Sequence, residues 1–281
     1  MRANCIAKWK GNAWSALGSG MDNDVYALAV SGTDLYAGGD FATAGGVSAN
    51  RIAKWNGNAW SALGPGMDGS VTALAVSATN LYAGGYFTTT GGVTANYIAK
   101  WNGSVWSPLG SGMNDRVYAL VMSGTNLYAG GGVNTAGGVA VNRIAKWNGS
   151  AWSALGSGTS GGYGYRPARV MALAADGVGH LFVGGYFYFA GTNVSPFIAQ
   201  ANVGAGASGG QFGSLVCSPV TGFSCIFGDA TPGQPYRIQT SPSLAEGSWV
   251  DWLNFNYTGP ILINDTSAVA GPRKFLRAVT P

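Results

Sequence analysis

Titratable side chains are scarce in this sequence. Its 281 residues include one histidine, His180, and one glutamate, Glu246, and only 9% are charged. A hydrolase or oxidase needs several such groups converging on one point. The expectation is therefore a non-enzymatic chain that needs no cofactor. His180 itself falls in the turn 176–180, where other copies of the repeat described below carry Thr-Asp or Thr-Asn, and reads as a turn residue. Long apolar runs are missing as well. No stretch approaches the about 18 consecutive apolar residues that span a bilayer, so membrane insertion is not expected.

The three cysteines, Cys5, Cys217 and Cys225, are too few for a disulfide framework, although Cys217 and Cys225 can pair if they face each other across a hairpin. Cys5 stands where other copies have Arg51, Tyr97 and Arg143, and reads as an incidental substitution. The net charge of +4 comes from 15 basic and 11 acidic residues without any basic run. Four of the lysines recur at fixed intervals, which spreads them around the molecule and argues against nucleic acid as a partner. The start, MRANCIAKWKGNAW, has no apolar signal region. Met1 falls a few residues before a repeat strand, as in a truncated reading frame.

What the sequence has in abundance is glycine, 47 residues, and aromatics, 12%. That balance suits many short strands joined by tight turns, hence an all-β protein. The strands come in a tandem repeat. Lys8, Lys54, Lys100 and Lys146 follow one another at 46 residues, and a fourth step lands on Gln200 after an insertion of eight. Repeats of this length mean a solenoid, a propeller or an array. Each unit carries four strand signals, in the second copy at 52–55, 60–63, 71–76 and 81–85. Asn56-Gly57 joins the first pair as a tight hairpin turn, and residues 77–80 join the second. Residues 71–76 are apolar on both alternating faces, as in a strand covered on two sides by neighbouring sheets. Radially stacked four-stranded sheets give that burial.

LYAGG, a loop, and then RIAKWNGNAWSAL resembles the kelch repeat, in which a strand ending in Gly-Gly precedes an aromatic strand, a turn and a Trp-bearing outer strand. The doublets are Gly38-Gly39, Gly84-Gly85, Gly130-Gly131 and Gly184-Gly185, and the outer-strand tryptophans are Trp14, Trp60, Trp106 and Trp152. The resemblance covers residues 3 to about 217 and implies a kelch-like β-propeller. Phased that way, complete blades occupy about 25–64, 71–110 and 117–156. A fourth runs from Val170, with its last strand at 211–217, where Phe212 and Leu215 reproduce the spacing of Trp60 and Leu63. The hairpin 6–9 and 14–17 is left as an N-terminal half-blade, which makes the chain a candidate fragment of a larger propeller. The resemblance extends to galactose oxidase, a kelch-type copper enzyme that needs two histidines, and a single histidine excludes that activity.

The domain division expected is 1–220 for the propeller repeats and 221–281 for a small C-terminal domain. Strand signals there fall at 223–227, 236–240, 249–255, 261–264 and 274–279. PYRIQTSPSLAEGSWVDWLNFNYTG followed by GPRKFLRAV is similar to the small Ig-like β-sandwich modules that end large secreted bacterial proteins. This resemblance implies an extracellular or cell-surface location.

Function is best sought where the repeats differ. Directly after the Gly-Gly doublet the copies carry Asp40, Tyr86, Gly132 or Tyr186, and the loop after the fourth Trp strand carries the insertion 159–169, TSGGYGYRPAR. In the propeller phasing both loops open on one face. Tyr163, Tyr165, Arg166, Tyr186 and Tyr188 then share a sector, and Tyr and Arg are favoured at recognition surfaces. Asp22-Asn23-Asp24 looks like part of a calcium loop, but copies two and three read Asp68-Gly69-Ser70 and Asn114-Asp115-Arg116, which makes turn residues the better reading and leaves no metal site. The expectation is a binding or structural module for a glycan or a protein. A self-assembling scaffold and an extracellular enzyme acting on polysaccharide through Tyr and Arg are the alternatives. The half-blade adds an expectation of self-association, because unpaired strand edges are sticky.

Overall fold

A computed structural model of the chain describes residues 4–78, 80–162 and 165–203, and beyond them the backbone of the strands between 212 and 279. Among the described residues every regular element is a β-strand. Four sheets of four antiparallel strands follow one another. The first is ordered Val25–Ser31, Asp34–Gly39, Ile52–Trp55, Trp60–Ala62, and the second Val71–Ser77, Asn80–Gly85, Ile98–Trp101, Trp106–Pro108. The third runs Val117–Ser123, Asn126–Gly131, Ile144–Trp147, Trp152–Ala154, and the fourth Arg169–Ala175, His180–Tyr186, Ile198–Asn202, Phe212–Gly213.

The outer hairpins of the first three sheets turn on the Asn-Gly dipeptide, with the positive φ at glycine alone. Gly57 has φ +98°, and the Asn56 side-chain oxygen accepts hydrogen bonds from the backbone N–H groups of Asn58 (3.0 Å) and Ala59 (2.9 Å). Asparagine thus acts here as an internal cap, and glycine supplies the conformation.

Neighbouring sheets pack face to face. Between the second and third, Ala73, Ala75, Tyr82 and Ile98 meet Val117, Leu120 and Leu127 in one buried cluster, and equivalent clusters join the first sheet to the second and the third to the fourth. Small residues on one face and large aliphatics on the next fit together at interior density. The first glycine of each doublet sits where the sheets converge. A Cβ on Gly38, Gly84 or Gly130 would lie 2.5, 2.6 or 2.3 Å from Cγ1 of Val71, Val117 or Val170 of the following sheet. At Gly184 the nearest atom is 3.7 Å away, because no described sheet follows.

The segment between each doublet and the Trp-bearing strands reads as a loop in the sequence, yet it contains a small hairpin: Thr43–Ala44 with Val47–Ser48, and its counterparts in every copy. Each is tied to the preceding repeat by a bridge, Met21 to Ala44, Met67 to Thr90 and Met113 to Ala136, with Thr159 to Ala190 in the fourth. Phe41, Phe87, Val133 and Phe187 fill the space beneath and are fully buried. The residue that re-enters the sheet, Arg51, Tyr97, Arg143 or Phe197, has φ between +63° and +69°. Its backbone is held at both ends: the Arg51 N–H donates to the Phe41 carbonyl (2.8 Å), and its own carbonyl accepts from the Gly39 N–H (3.0 Å). Cys5 shares this conformation, with φ +60°.

Ala7–Trp9 and Trp14–Ala16 pair only with each other among the described residues. The expected last strand, 211–217, is divided. Phe212–Gly213 pairs with the fourth sheet, through Ala201 and Gln200, whereas Leu215–Ser218 pairs with Gly222–Phe227. A three-stranded sheet of Leu215–Ser218, Gly222–Phe227 and Ile261–Asp265 and another of Val250–Asn256, Pro235–Ser241 and Phe275–Val279 complete the described backbone. The register sets Cys217 opposite Phe223 and Cys225 opposite Leu215. The side chains of both cysteines, and the loop 204–210, lie outside the described residues.

Candidate functional site

The residue after the first valine of every inner strand, Tyr26, Thr72, Tyr118 or Met171, falls at a register shift. Val117 opposes Gly131 and Ala119 opposes Gly130, so Tyr118 has no cross-strand partner. A bulge of this kind re-aims one side chain and is common beside binding sites. The Tyr118 ring lies edge-on to Tyr86 of the preceding sheet, with centroids 5.9 Å apart and planes at 68°. The Arg116 guanidinium sits over the Tyr86 ring at 4.6 Å, and that of Arg169 over the Tyr118 ring at 5.9 Å. Tyr86, Arg116, Tyr118 and Arg169 thus form an alternating row across three sheets. Burial, followed by the neighbouring Tyr118, raises the pKa of the Tyr86 phenol above its ordinary value, so it remains a neutral donor and acceptor at physiological pH.

The insertion 159–169 reaches the row from its far end. Arg169 closes it onto Tyr118, and Arg166 lies over the Tyr186 ring at 5.2 Å. A guanidinium held against an aromatic face has its orientation fixed by the ring, and the Arg116 side chain is also hydrogen-bonded to that of Tyr118. Arg116 and Tyr86 are both exposed, and so is Tyr165.

Of the residues singled out from sequence, Tyr86, Arg166 and Tyr186 belong to this arrangement. Tyr188 packs against Phe197 instead, with centroids 5.7 Å apart, and its backbone N–H donates to the carbonyls of Ser160 (3.0 Å) and Gly161 (2.8 Å). Asp40 forms an ion pair with Arg51 (3.1 Å) and accepts a hydrogen bond from the Ser70 hydroxyl (2.9 Å). Tyr163 lies outside the described residues. Arg116 and Tyr118 were missed because repeat differences were sought in the loops alone, and Arg169 was noted only as the end of the insertion. The same comparison one step further, at Asp24, Ser70, Arg116 and Arg169 before the inner-strand valine, marks the two arginines, and at Tyr26, Thr72, Tyr118 and Met171 after it, Tyr118.

The acidic turn 22–24 is structural. Asp22 Oδ1 accepts hydrogen bonds from the N–H groups of Ala42 and Thr43, both at 2.9 Å, and Asp68 does the same for Thr88 and Thr89. Asn114 accepts the equivalent pair from Asn134 and Thr135 with a neutral oxygen, so the position needs an acceptor and no charge. The backbone N–H of Thr43 is the main cause that lowers the Asp22 carboxyl below its usual range. His180 pairs with the carboxylate of Asp176 inside its own hairpin turn. No helix among the described residues is long and apolar enough to cross a membrane.

A comparison with curated proteins finds no match. Among solved structures, "YCF48 bound to D1 peptide" is similar at 16% identity over 72% of this chain and 71% of that chain, with a TM-score of 0.37. The family model described as the Rax2 C-terminal beta propeller domain matches residues 7–174, more than half of the chain. With the repeated four-stranded sheets already described, this makes the fold a β-propeller, and the chain belongs to the Rax2 C-terminal beta propeller domain family.

Proposed function

We propose that this chain is a non-enzymatic extracellular or cell-surface binding module whose ligand, a protein or a glycan, docks on the propeller face that carries the 159–169 insertion. In this reading the four sheets are four complete kelch-type blades, the Ala7–Trp9 and Trp14–Ala16 pair is half of another, and the strands after about residue 220 form a separate small β-sandwich. The single observation that carries it is the Tyr86, Arg116, Tyr118, Arg169 row, extended by Arg166 on Tyr186. Alternating aromatic faces and guanidinium groups offer broad apolar contact with directional donors and no nucleophile or general base.

Glycan and protein arrays probed with the wild type and with Arg116→Ala, Tyr86→Ala and Tyr188→Ala test the reading. Binding that falls at least tenfold in the first two variants and holds in the third supports it. Turnover of an arrayed polysaccharide by the wild type would replace it with the enzymatic alternative. A ligand held equally by all four proteins would move the site elsewhere.

A further inference from the structure

One position on the Tyr and Arg face loses its side chain where the surrounding groups gain positive charge. In the first sheet the residue after the glycine doublet is Asp40, and its Oδ1 accepts hydrogen bonds from Arg51 Nε at 3.1 Å and from the Ser70 hydroxyl of the second sheet at 2.9 Å. One carboxylate thus ties two sheets together. In the third sheet the same place belongs to Gly132, whose N–H donates to the Arg116 carbonyl at 3.1 Å as that of Asp40 donates to the Asp24 carbonyl at 2.9 Å. Arg143 stands at the repeat position of Arg51, and Arg169 of the fourth sheet at that of Ser70. The setting that holds Asp40 is repeated there with a second arginine in place of the hydroxyl and without the aspartate. Arg143 donates to neutral acceptors only, the Gly132 carbonyl (3.0 Å) and the Asn134 side-chain oxygen. The Asp115 carboxylate lies beside Gly132 and offsets one of the charges of Arg116, Arg143, Arg166 and Arg169, but among the described residues none of these five side chains is in an ion pair.

We propose that the seam between the third and fourth sheets at Gly132 is a subsite for an acidic side chain of a polypeptide partner, held by Arg143 and Arg169 as Arg51 and Ser70 hold Asp40. This rests on the reading of that face as the recognition face and names the class of ligand it takes. The chain's own Asp40 shows which group fits: a carboxylate on a short side chain, accepting from both sheets at once. Two guanidinium groups that face neutral acceptors supply the charge that such a group needs on leaving water. A sugar is disfavoured because it stacks on a bare aromatic face, and here Arg116, Arg169 and Arg166 already lie over the rings of Tyr86, Tyr118 and Tyr186.

The probes are an end-blocked hexa-aspartate peptide, its hexa-asparagine counterpart and hexagalacturonate, added to the full chain at physiological ionic strength and followed by calorimetry. The aspartate peptide is expected to bind and the asparagine peptide not. Arg143→Gln and Arg169→Gln are each expected to weaken that binding at least tenfold. Gly132→Asp returns the chain's own carboxylate to the subsite and is expected to weaken it as much. Gly132 lies outside the left-handed region, and an added Cβ meets only the Asp115 side chain, so the position accepts a side chain. Thr125→Asp adds the same charge at the other end of the same two strands and is expected to leave binding within about threefold, because charges so far apart are screened. Absence of aspartate-peptide binding overturns the proposal, as does equal weakening by Thr125→Asp and Gly132→Asp, which would make the attraction one of net charge alone. Hexagalacturonate that binds as tightly and responds to the same variants would overturn the polypeptide as ligand. The reading of the face is decided separately: an arrayed ligand that needs Tyr86 and Arg116 and ignores Gly132→Asp, Arg143→Gln and Arg169→Gln keeps that reading and overturns the carboxylate subsite.

Discussion

The indole N–H of Trp60 donates a 2.8 Å hydrogen bond to the carbonyl of Leu17, 43 residues earlier in the chain. Trp106 and Leu63, then Trp152 and Leu109, repeat it at 2.8 and 2.9 Å, both across sheet boundaries. The tryptophan recurs for two reasons that act together: it fills the outer wedge between sheets, and its N–H satisfies the buried end of the preceding strand.

Trp106→Phe keeps most of the volume and leaves the Leu63 carbonyl without its donor, at a cost of about 1–3 kcal/mol. Trp106→Ala adds a cavity and costs about 3–5 kcal/mol. Trp14, 68% exposed, is expected to tolerate Ala with a change within about 1 kcal/mol. Urea denaturation of the three variants checks the order.

Gly130 and Gly184 occupy the same repeat position and differ only in what faces them. Gly130→Ala drives a methyl into Val170 at 2.3 Å and is expected to destabilise by about 1–3 kcal/mol, whereas Gly184→Ala meets nothing nearer than 3.7 Å and is expected to be neutral. Adding Val170→Ala to Gly130→Ala should restore part of the loss. Equal melting temperatures for the two single variants would contradict the packing.

Thr159 stands where the first three copies place a methionine, and its buried hydroxyl has no hydrogen-bond partner among the described residues. Thr159→Val removes that group at nearly constant volume. A stabilisation of about 1 kcal/mol is expected, read as a rise in melting temperature.

The Asp176 carboxyl is lowered to about 2, chiefly by the backbone N–H of His180, with the His180 side chain and the Val178 N–H adding to it. A depressed carboxyl contributes stability above its unfolded pKa, and that contribution fades as pH falls through the folded value. The stability difference between wild type and Asp176→Asn is therefore expected to be level from pH 7 to about 4 and to shrink from there towards pH 2. A difference that grows on acidification would reverse the assigned role.

The sequence by itself determined the repeat, the strand order within it and the outer-hairpin turns, because these depend on local chemistry repeated in step: glycine where φ is positive or backbones converge, asparagine beside it, alternating apolar residues between. The small hairpins after each doublet were hidden. Their two-residue strands carry no periodicity, and Met21, Met67 and Met113 from the previous repeat bridge to them. The site was half legible. Tyr86, Arg166 and Tyr186 broke the repeat in loops, but Tyr118 became part of the row only through a bulge that releases it from cross-strand pairing, and Asp40 was drawn away by Arg51. The last strand of the fourth sheet shows the same limit: Phe212 and Leu215 have the spacing of one strand, and the two ends of that segment found different partners. Spacing fixes what a segment is able to pair with. Which partner it takes, and which faces stay open, depends on what lies across from it, and only the tertiary structure decides that.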